Sequence, residues 1–280
     1  MPGFASYDQI ITALTTNAKN ESGLVSKVSA TTVAGGIYTL SYVAGTPTPL
    51  VFGTALTATQ MTSAIPGAIL PFTNAVSPST KHLLSLGVGS SVAAGSFFYY
   101  DLLARYPLNG TVLTGTFASV ALPARDNNGA TSGAGVMAMV VNASATASTA
   151  PTLTLNYTNS AGVAGRTTGA IALLASAQHR VMHNASGMFM PLQSGDTGIQ
   201  TIQSYTLSAT ATTTQVEIQL IRPITSYIPV LVAGGYTERD LVLNTPKLAR
   251  MYDGTALQLG LLAATTSSGT VIGATQYSEN

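Results

Sequence analysis

The chain has no cysteine and no tryptophan. Without thiols there are no disulfides, no thiolate metal sites and no cysteine nucleophile, and the usual covalent staple of extracellular domains is missing. Charge is scarce as well. Asp, Glu, Lys and Arg make up 8% of the residues, where an ordinary soluble domain carries about 25%. Val28 through Thr80 contains none of the four, and neither does Asn127 through Gly165. These stretches do not read as membrane spans, because Thr, Ser, Gly and Pro interrupt every apolar run well short of the roughly 18 residues a spanning helix needs. A surface of this kind is polar but nearly uncharged. It gains little from long-range steering and is not kept apart from neighbours by charge repulsion. That suits a protein packed against copies of itself or a large partner, and points to a structural or binding class, not to an enzyme.

The net charge is +1. Lys19, Lys27, Lys81, Arg105, Arg125 and Arg166 are scattered, so no stripe follows a phosphate backbone. Neither nucleic acid nor a membrane is an expected partner. The opening Met1-Pro2-Gly3-Phe4-Ala5 lacks the basic start and apolar run of a secretory signal, which reads as synthesis in a cytoplasm. Asn20, Asn109, Asn142, Asn156 and Asn184 each precede Ser or Thr by two. With no export signal, these sequons are read as a by-product of composition.

What is present is enough apolar material for a core, 46% of 280 residues, in one large all-β domain or two smaller ones. Ser6-Tyr7-Asp8-Gln9 opens a short helix with Ser6 as cap and Gln9 at the capping-box position; Ile10, Leu14 and Ala18 form its stripe. From Lys27 on, strand patterns dominate: 36–42, 83–88, 96–103, 111–122, 136–141, 152–158, 163–168, 171–175, 188–192, 199–207, 215–221 and 257–263. Asn159-Ser160-Ala161-Gly162 reads as a hairpin turn. Pro47–Pro78, with five prolines, reads as an extended loop or arm, because proline removes a ladder donor. Ser267-Ser268-Gly269 begins a loose end. Many short strands with Gly and Pro punctuation, and no strand–helix alternation, predict an all-β antiparallel β-sandwich or jelly roll with a short N-terminal helix and extended arms. The division expected is an N-terminal helix or arm over 1–28 and a β-rich body over 29–280, which two sub-domains meeting near 123–135 could share.

Candidate chemistry is thin. His179 and His183 stand four apart, but no Glu sits between them, and four residues along a strand are too distant to share a metal. Gly133-Ala134-Gly135-Val136-Met137-Ala138 formally fits a dinucleotide fingerprint, yet a loop precedes it and a β-like run follows. Glu238 and Asp240 are the one near pair of carboxylates, with Arg239 between them, which reads as a local ion cluster and not the facing acids of a glycosidase. Asp101, inside the aromatic run Phe97–Leu103, reads as a buried, hydrogen-bonded carboxylate near Arg105, with an interface residue as the other reading. No catalytic, cofactor-binding or metal-binding residue is assigned, and no cofactor is expected.

Three segments carry a resemblance: Leu153-Thr154-Leu155-Asn156-Tyr157-Thr158-Asn159-Ser160-Ala161-Gly162-Val163-Ala164-Gly165-Arg166-Thr167, Phe189-Met190-Pro191-Leu192-Gln193-Ser194-Gly195-Asp196-Thr197-Gly198-Ile199-Gln200, and the opening Phe4-Ala5-Ser6-Tyr7-Asp8-Gln9. They resemble segments of tailed-bacteriophage virion proteins. The resemblance implies a structural component of a phage particle, on the head in preference to the tail, and carries over no catalytic residue. It implies a capsid cement or decoration protein on the shell exterior, made in the host cytoplasm. Its partners would be the major capsid protein and copies of itself, with a trimer favoured. The N-terminal helix and the proline-rich segment would then be arms over neighbouring subunits. The second reading is a receptor- or glycan-binding module of a tail or fibre, for which Tyr7, Tyr106, Tyr227, Tyr236 and Tyr252 are candidates. The third is a hydrolase with a dispersed site.

Overall fold

A computed structural model describes all residues except 1–3, 5, 17–19, 70–72, 143–150, 174–178, 183–186, 212–214, 226 and 244–247. It contains one helix, α1 (Tyr7–Leu14), followed by strands. The first half holds β1 (Asn20–Lys27), β2 (Ile37–Thr39), β3 (Gly45–Thr46), β4 (Thr59–Gln60), β5 (Lys81–Ser90), β6 (Gly95–Pro107), β7 (Thr114–Thr116) and β8 (Met137–Asn142). Then come β9 (Thr152–Asn159), β10 (Arg166–Thr167), β11 (Ile171–Ala172), β12 (Arg180–Met182), β13 (Ile199–Leu207) and β14 (Val216–Pro223). The last are β15 (Ile228–Val230), β16 (Tyr236–Asp240), β17 (Ala249–Met251), β18 (Leu257–Ala263) and β19 (Val271–Glu279).

The protein is all-β and antiparallel, and its centre is a closed ring. β14, β8, β12, β2, β18 and β6 pair in that order, and β6 pairs back to β14. The length of β6 makes closure possible: Gly95–Asp101 pairs with β18, while Tyr100–Pro107 pairs with β14. Two smaller sheets lie outside this barrel. The first runs β16-β5-β19-β1-β3, with β17 also on β5; the second runs β10-β9-β13-β7, with β11 on β9.

Three apolar clusters follow from this layering. Phe97 and Tyr99 of β6 join Leu83, Leu86 and Val88 of β5 beneath the first flanking sheet. Phe98, Tyr100 and Leu102 join Met139, Val141 and Val181 inside the barrel. The register then slips between Leu220 and Ile221, which face Ala104 and Leu102. The extra residue, Leu103, is a β-bulge that reverses the alternation beyond it. Leu103, Ala104 and Tyr106 therefore all join the core beneath the second flanking sheet, with Leu155, Tyr157 and Tyr205. One strand thus feeds all three cores.

Several expectations change in this frame. Asn20–Lys27, grouped by sequence with the arm, is a strand of the first flanking sheet, paired along its whole length with β19. The tail after Ser267 is not loose, because β19 lies between β5 and β1. Its alternation buries Val271, Thr275 and Tyr277 and exposes Ile272 and Gln276. Pro47–Pro78 is irregular, as its prolines dictate, but its described part lies on its own barrel: Leu50, Met61 and Ala68 are buried in the barrel cluster and β4 pairs with β6. The runs 111–122 and 188–192 form only β7 and a single bridge at Phe189. The hairpin turn is where expected, with Gly162 at φ +80 and its N–H on the Asn159 carbonyl.

Candidate binding surface

The first flanking sheet has an inner face on the barrel and an outer face with little on it. The register sets three outward rows: Ser22–Gln276–Ser85–Asp240, Leu24–Ala274–Gly87–Glu238 and Ser26–Ile272–Gly89–Tyr236. Leu24 is 63% exposed, Ile272 52% and Tyr236 51%. Gly87 and Gly89 form a trough that holds the Tyr236 ring; a Cβ on Gly87 would collide with the Tyr236 hydroxyl. The surface is therefore flat where β-branched residues would make it ridged.

Helix α1 borders this face. Ser6 is extended and accepts from the Gln9 N–H, 3.3 Å away, satisfying one free donor of the first turn; Asp8 sits where the helix dipole favours an anion. At the other end the Asn20 amide donates to the carbonyls of Ala13 and Leu14. Phe4 packs on His82, ring centroids 5.3 Å apart. The buried stripe is Ile10 and Ala13, three apart, and not the predicted Ile10 and Leu14; Ala18 lies outside the described residues. Tyr7, Ile11 and Leu14 form a second apolar stripe that faces solvent. A short helix gains most of its stability from docking, and here only one of its two apolar stripes is docked.

The charges go elsewhere. Among the described residues every Lys and Arg is buried or half-buried, and the exposed acids are Asp8, Glu238 and Asp253. Lys81 pairs with Glu21 at 2.6 Å, Arg166 with Asp196 at 2.9 Å and Arg105 with Glu217 at 3.6 Å. The Arg166 guanidinium, with help from the Tyr157 hydroxyl, holds the Asp196 carboxyl down to about 2. Among the described residues these three pairs turn six of the scarce charges to internal fastening.

Asp101 is buried and hydrogen-bonded, as expected, but its partners are not. It meets Arg125 at 3.2 Å and Arg222 at 3.4 Å, and accepts from the Ala256 N–H at 3.0 Å. Residues four apart on a strand share a face, so Arg105 was the natural partner; the bulge at Leu103 turns it into the barrel instead, to Glu217. There the Tyr42 hydroxyl donates to Glu217 Oε1 at 2.6 Å, and the Gln219 amide donates to the same oxygen at 3.0 Å. Burial nevertheless outweighs Arg105 and these donors, and holds the Glu217 carboxyl above its ordinary value. Sequence reasoning placed Asp101 near Arg105 and missed Arg125 and Arg222, because a bulge leaves no local mark in composition.

The remaining candidates separate. His179 has φ +66 and stacks on Tyr42, with centroids 6.1 Å apart; His183 lies outside the described residues. Burial lowers the His179 pKa. Among the described residues no three His, Asp or Glu gather to hold a metal. Gly133 and Gly135, both at positive φ, shape a loop whose amides feed Asp126: Oδ2 accepts from the N–H groups of Gly133 and Ala134, and Oδ1 from Asn128 and Ala130. That loop leads into β8, not into a helix, so the fingerprint is coincidental. Glu238 and Asp240 share the outer face of β16. Tyr7, Tyr227 and Tyr236 are exposed and Tyr252 is half-buried, but Tyr106 is fully buried in β6 and is removed from the binding candidates.

No protein-family model matches this chain, and no curated protein matches it. Two solved structures are similar at a low level. The structure of the infectious bursal disease virus Gx strain shares 11% identity over 93% of this chain and 80% of that chain, with a TM-score of 0.17. The infectious bursal disease virus VP2 subviral particle shares 12% over 92% of this chain and 41% of that one, with a TM-score of 0.10. At those scores the backbones do not superpose, and neither likeness carries an argument about fold or role.

Proposed function

We propose that this chain is a structural virion protein, of the capsid cement or decoration type, that binds the head shell of a tailed phage through the outer face of its first flanking sheet and the exposed stripe of α1. The observation that carries the reading is an uncovered apolar sheet face whose outward charges, Glu238 and Asp240, lie along its β16 edge. Leu24, Ile272 and Tyr236 on the sheet and Tyr7, Ile11 and Leu14 on the helix offer apolar area to a partner. Burying such a surface strands few charges, and stranded charges are what makes polar interfaces costly to form. A protein of this kind acts by many weak contacts, with homo-oligomers, a trimer first, as the expected assembly and the shell exterior as its place. The resemblance of three segments to tailed-phage virion proteins supports the same role.

Quantitative mass spectrometry of purified virions tests it. Hundreds of copies in fixed ratio to the major capsid protein are expected. A handful of copies per particle would favour the tail or fibre reading, to which exposed Tyr227 and Tyr236 lend themselves. Absence from particles would remove the virion role.

A further inference from the structure

Lys27 ends β1 with its side chain on the inner face of the first flanking sheet, 3% exposed. An ammonium has three donors. Two of them go to neutral oxygens on either side of β3, the carbonyls of Val43 at 3.0 Å and Pro47 at 2.6 Å. Among the described residues no carboxylate pairs with it; the ion pairs engage Lys81, Arg105, Arg125, Arg166 and Arg222. A buried charge is costly until it is paired. Burial lowers the Lys27 value to about 8, so the group is still a cation at about pH 7.

Lys27 lines a cavity of about 10 Å³ between this sheet and the barrel, about the room of one water-sized sphere. Gln258 of β18 lines it too; this side chain is 1% exposed, and its Nε2 holds no hydrogen bond. The Ser41 hydroxyl in the wall already meets the hydroxyls of Thr39 at 2.7 Å and Tyr100 at 3.3 Å. Most of the rest is apolar, and no acidic residue lines the space. Phosphate, sulfate and carboxylates are too large for it. A cation would meet the Lys27 charge, and a water would leave that charge uncompensated. A monatomic anion accepts from both donors and cancels the charge. From this geometry we infer that the cavity is a halide site, with chloride as the ordinary occupant and the Lys27 ammonium and Gln258 amide as its donors. The ion joins β1 of the flanking sheet to β18 of the barrel. The inference does not depend on the virion reading, since the cavity and the proposed docking face use different residues.

The test is urea unfolding of the full-length protein at about pH 7, with sodium and ionic strength fixed while gluconate is replaced by chloride or bromide, so that general screening stays constant. A ligand that binds only the folded state raises the midpoint as its concentration passes its Kd. Both halides should raise the wild-type midpoint above that in gluconate. Lys27→Met, close in volume, should show no halide-specific rise. Gln258→Met keeps the ammonium but loses one neutral hydrogen bond, and should bind halide about fivefold more weakly. Crystals grown in bromide should show an anomalous scattering peak between Lys27 and Gln258. Equal midpoints in halide and gluconate, a halide rise that survives in Lys27→Met, undiminished halide affinity in Gln258→Met, or bromide crystals without that peak overturn the site.

Discussion

Removing the Asp101 carboxylate should be among the most destabilising single changes in this protein. Asp101 lies on β6 between Tyr99, in the core under the first flanking sheet, and Leu103, in the core under the second. It holds two guanidiniums that reach the same seam: Arg125, which also donates to the carbonyls of Met61 and Leu102 at 2.7 and 3.0 Å, and Arg222, which donates to the Arg250 carbonyl at 3.1 Å. Asp101→Ala leaves both cations buried without an anion, and breaking a buried pair in this way costs about 3–5 kcal/mol. That is a large part of a total near 5–15 kcal/mol. Asp101→Asn keeps the shape and the bond from Ala256 but not the charge, so it should lose less while still exceeding about 1 kcal/mol. Urea unfolding followed by far-UV circular dichroism reads both as a lowered midpoint at an unchanged slope. A variant with Asp101→Leu, Arg125→Met and Arg222→Met together should recover most of the loss, because an apolar replacement of a whole buried cluster is often neutral. If Asp101→Asn unfolds within about 0.5 kcal/mol of wild type, the range of an inert surface change, the carboxylate does not hold the seam.

Glu217 is held above its ordinary 4.5 in the fold, so the folded state keeps its proton longer than the unfolded chain, and stability should fall as pH rises from about 4.5 through the folded value; Glu217→Gln should lack that fall in unfolding curves taken across pH. Lys27 is lowered to about 8 from 10.5, mainly by burial, which has the opposite sign: stability should rise between about pH 8 and 10.5, and Lys27→Met should flatten that rise. Carbon-detected NMR should find the Asp196 carboxyl titrating at about 2, and Arg166→Ala should move it back toward 3.8. Gly133→Ala should cost more than ~1 kcal/mol in the same urea assay, because Gly133 has φ +83 and a Cβ there would strike the Ile199 carbonyl.

Sequence periodicity identified the strands that alternate or run apolar over a long stretch. Ile199–Leu207 and Leu257–Ala263 match β13 and β18 end to end. The tail strand β19 also alternates, but Ser267-Ser268-Gly269 drew attention to the turn and away from Val271, Thr275 and Tyr277 behind it. Other parts were not legible locally. Closure of the barrel depends on β6 reaching both β18 and β14, a pairing between residues more than a hundred positions apart. The bulge at Leu103 decides that Asp101 and Arg105 part company, and nothing in Leu102-Leu103-Ala104 announces it. The proposed docking face was anticipated only as a property of composition. Its location needed the register that sets Leu24, Ala274 and Gly87 in one row, and the helix geometry that docks Ile10 and Ala13 while leaving Tyr7, Ile11 and Leu14 outside.

The central claim is that the outer face of the first flanking sheet attaches this protein to a shell. Leu24→Asp and Ile272→Asp change that face at solvent-exposed positions and should leave the urea midpoint nearly unchanged. Co-sedimentation of each folded variant with shells stripped of this protein measures attachment directly. Loss of binding by both, with wild type sedimenting at constant stoichiometry, is the predicted result; binding by both folded variants at the wild-type level would contradict the account.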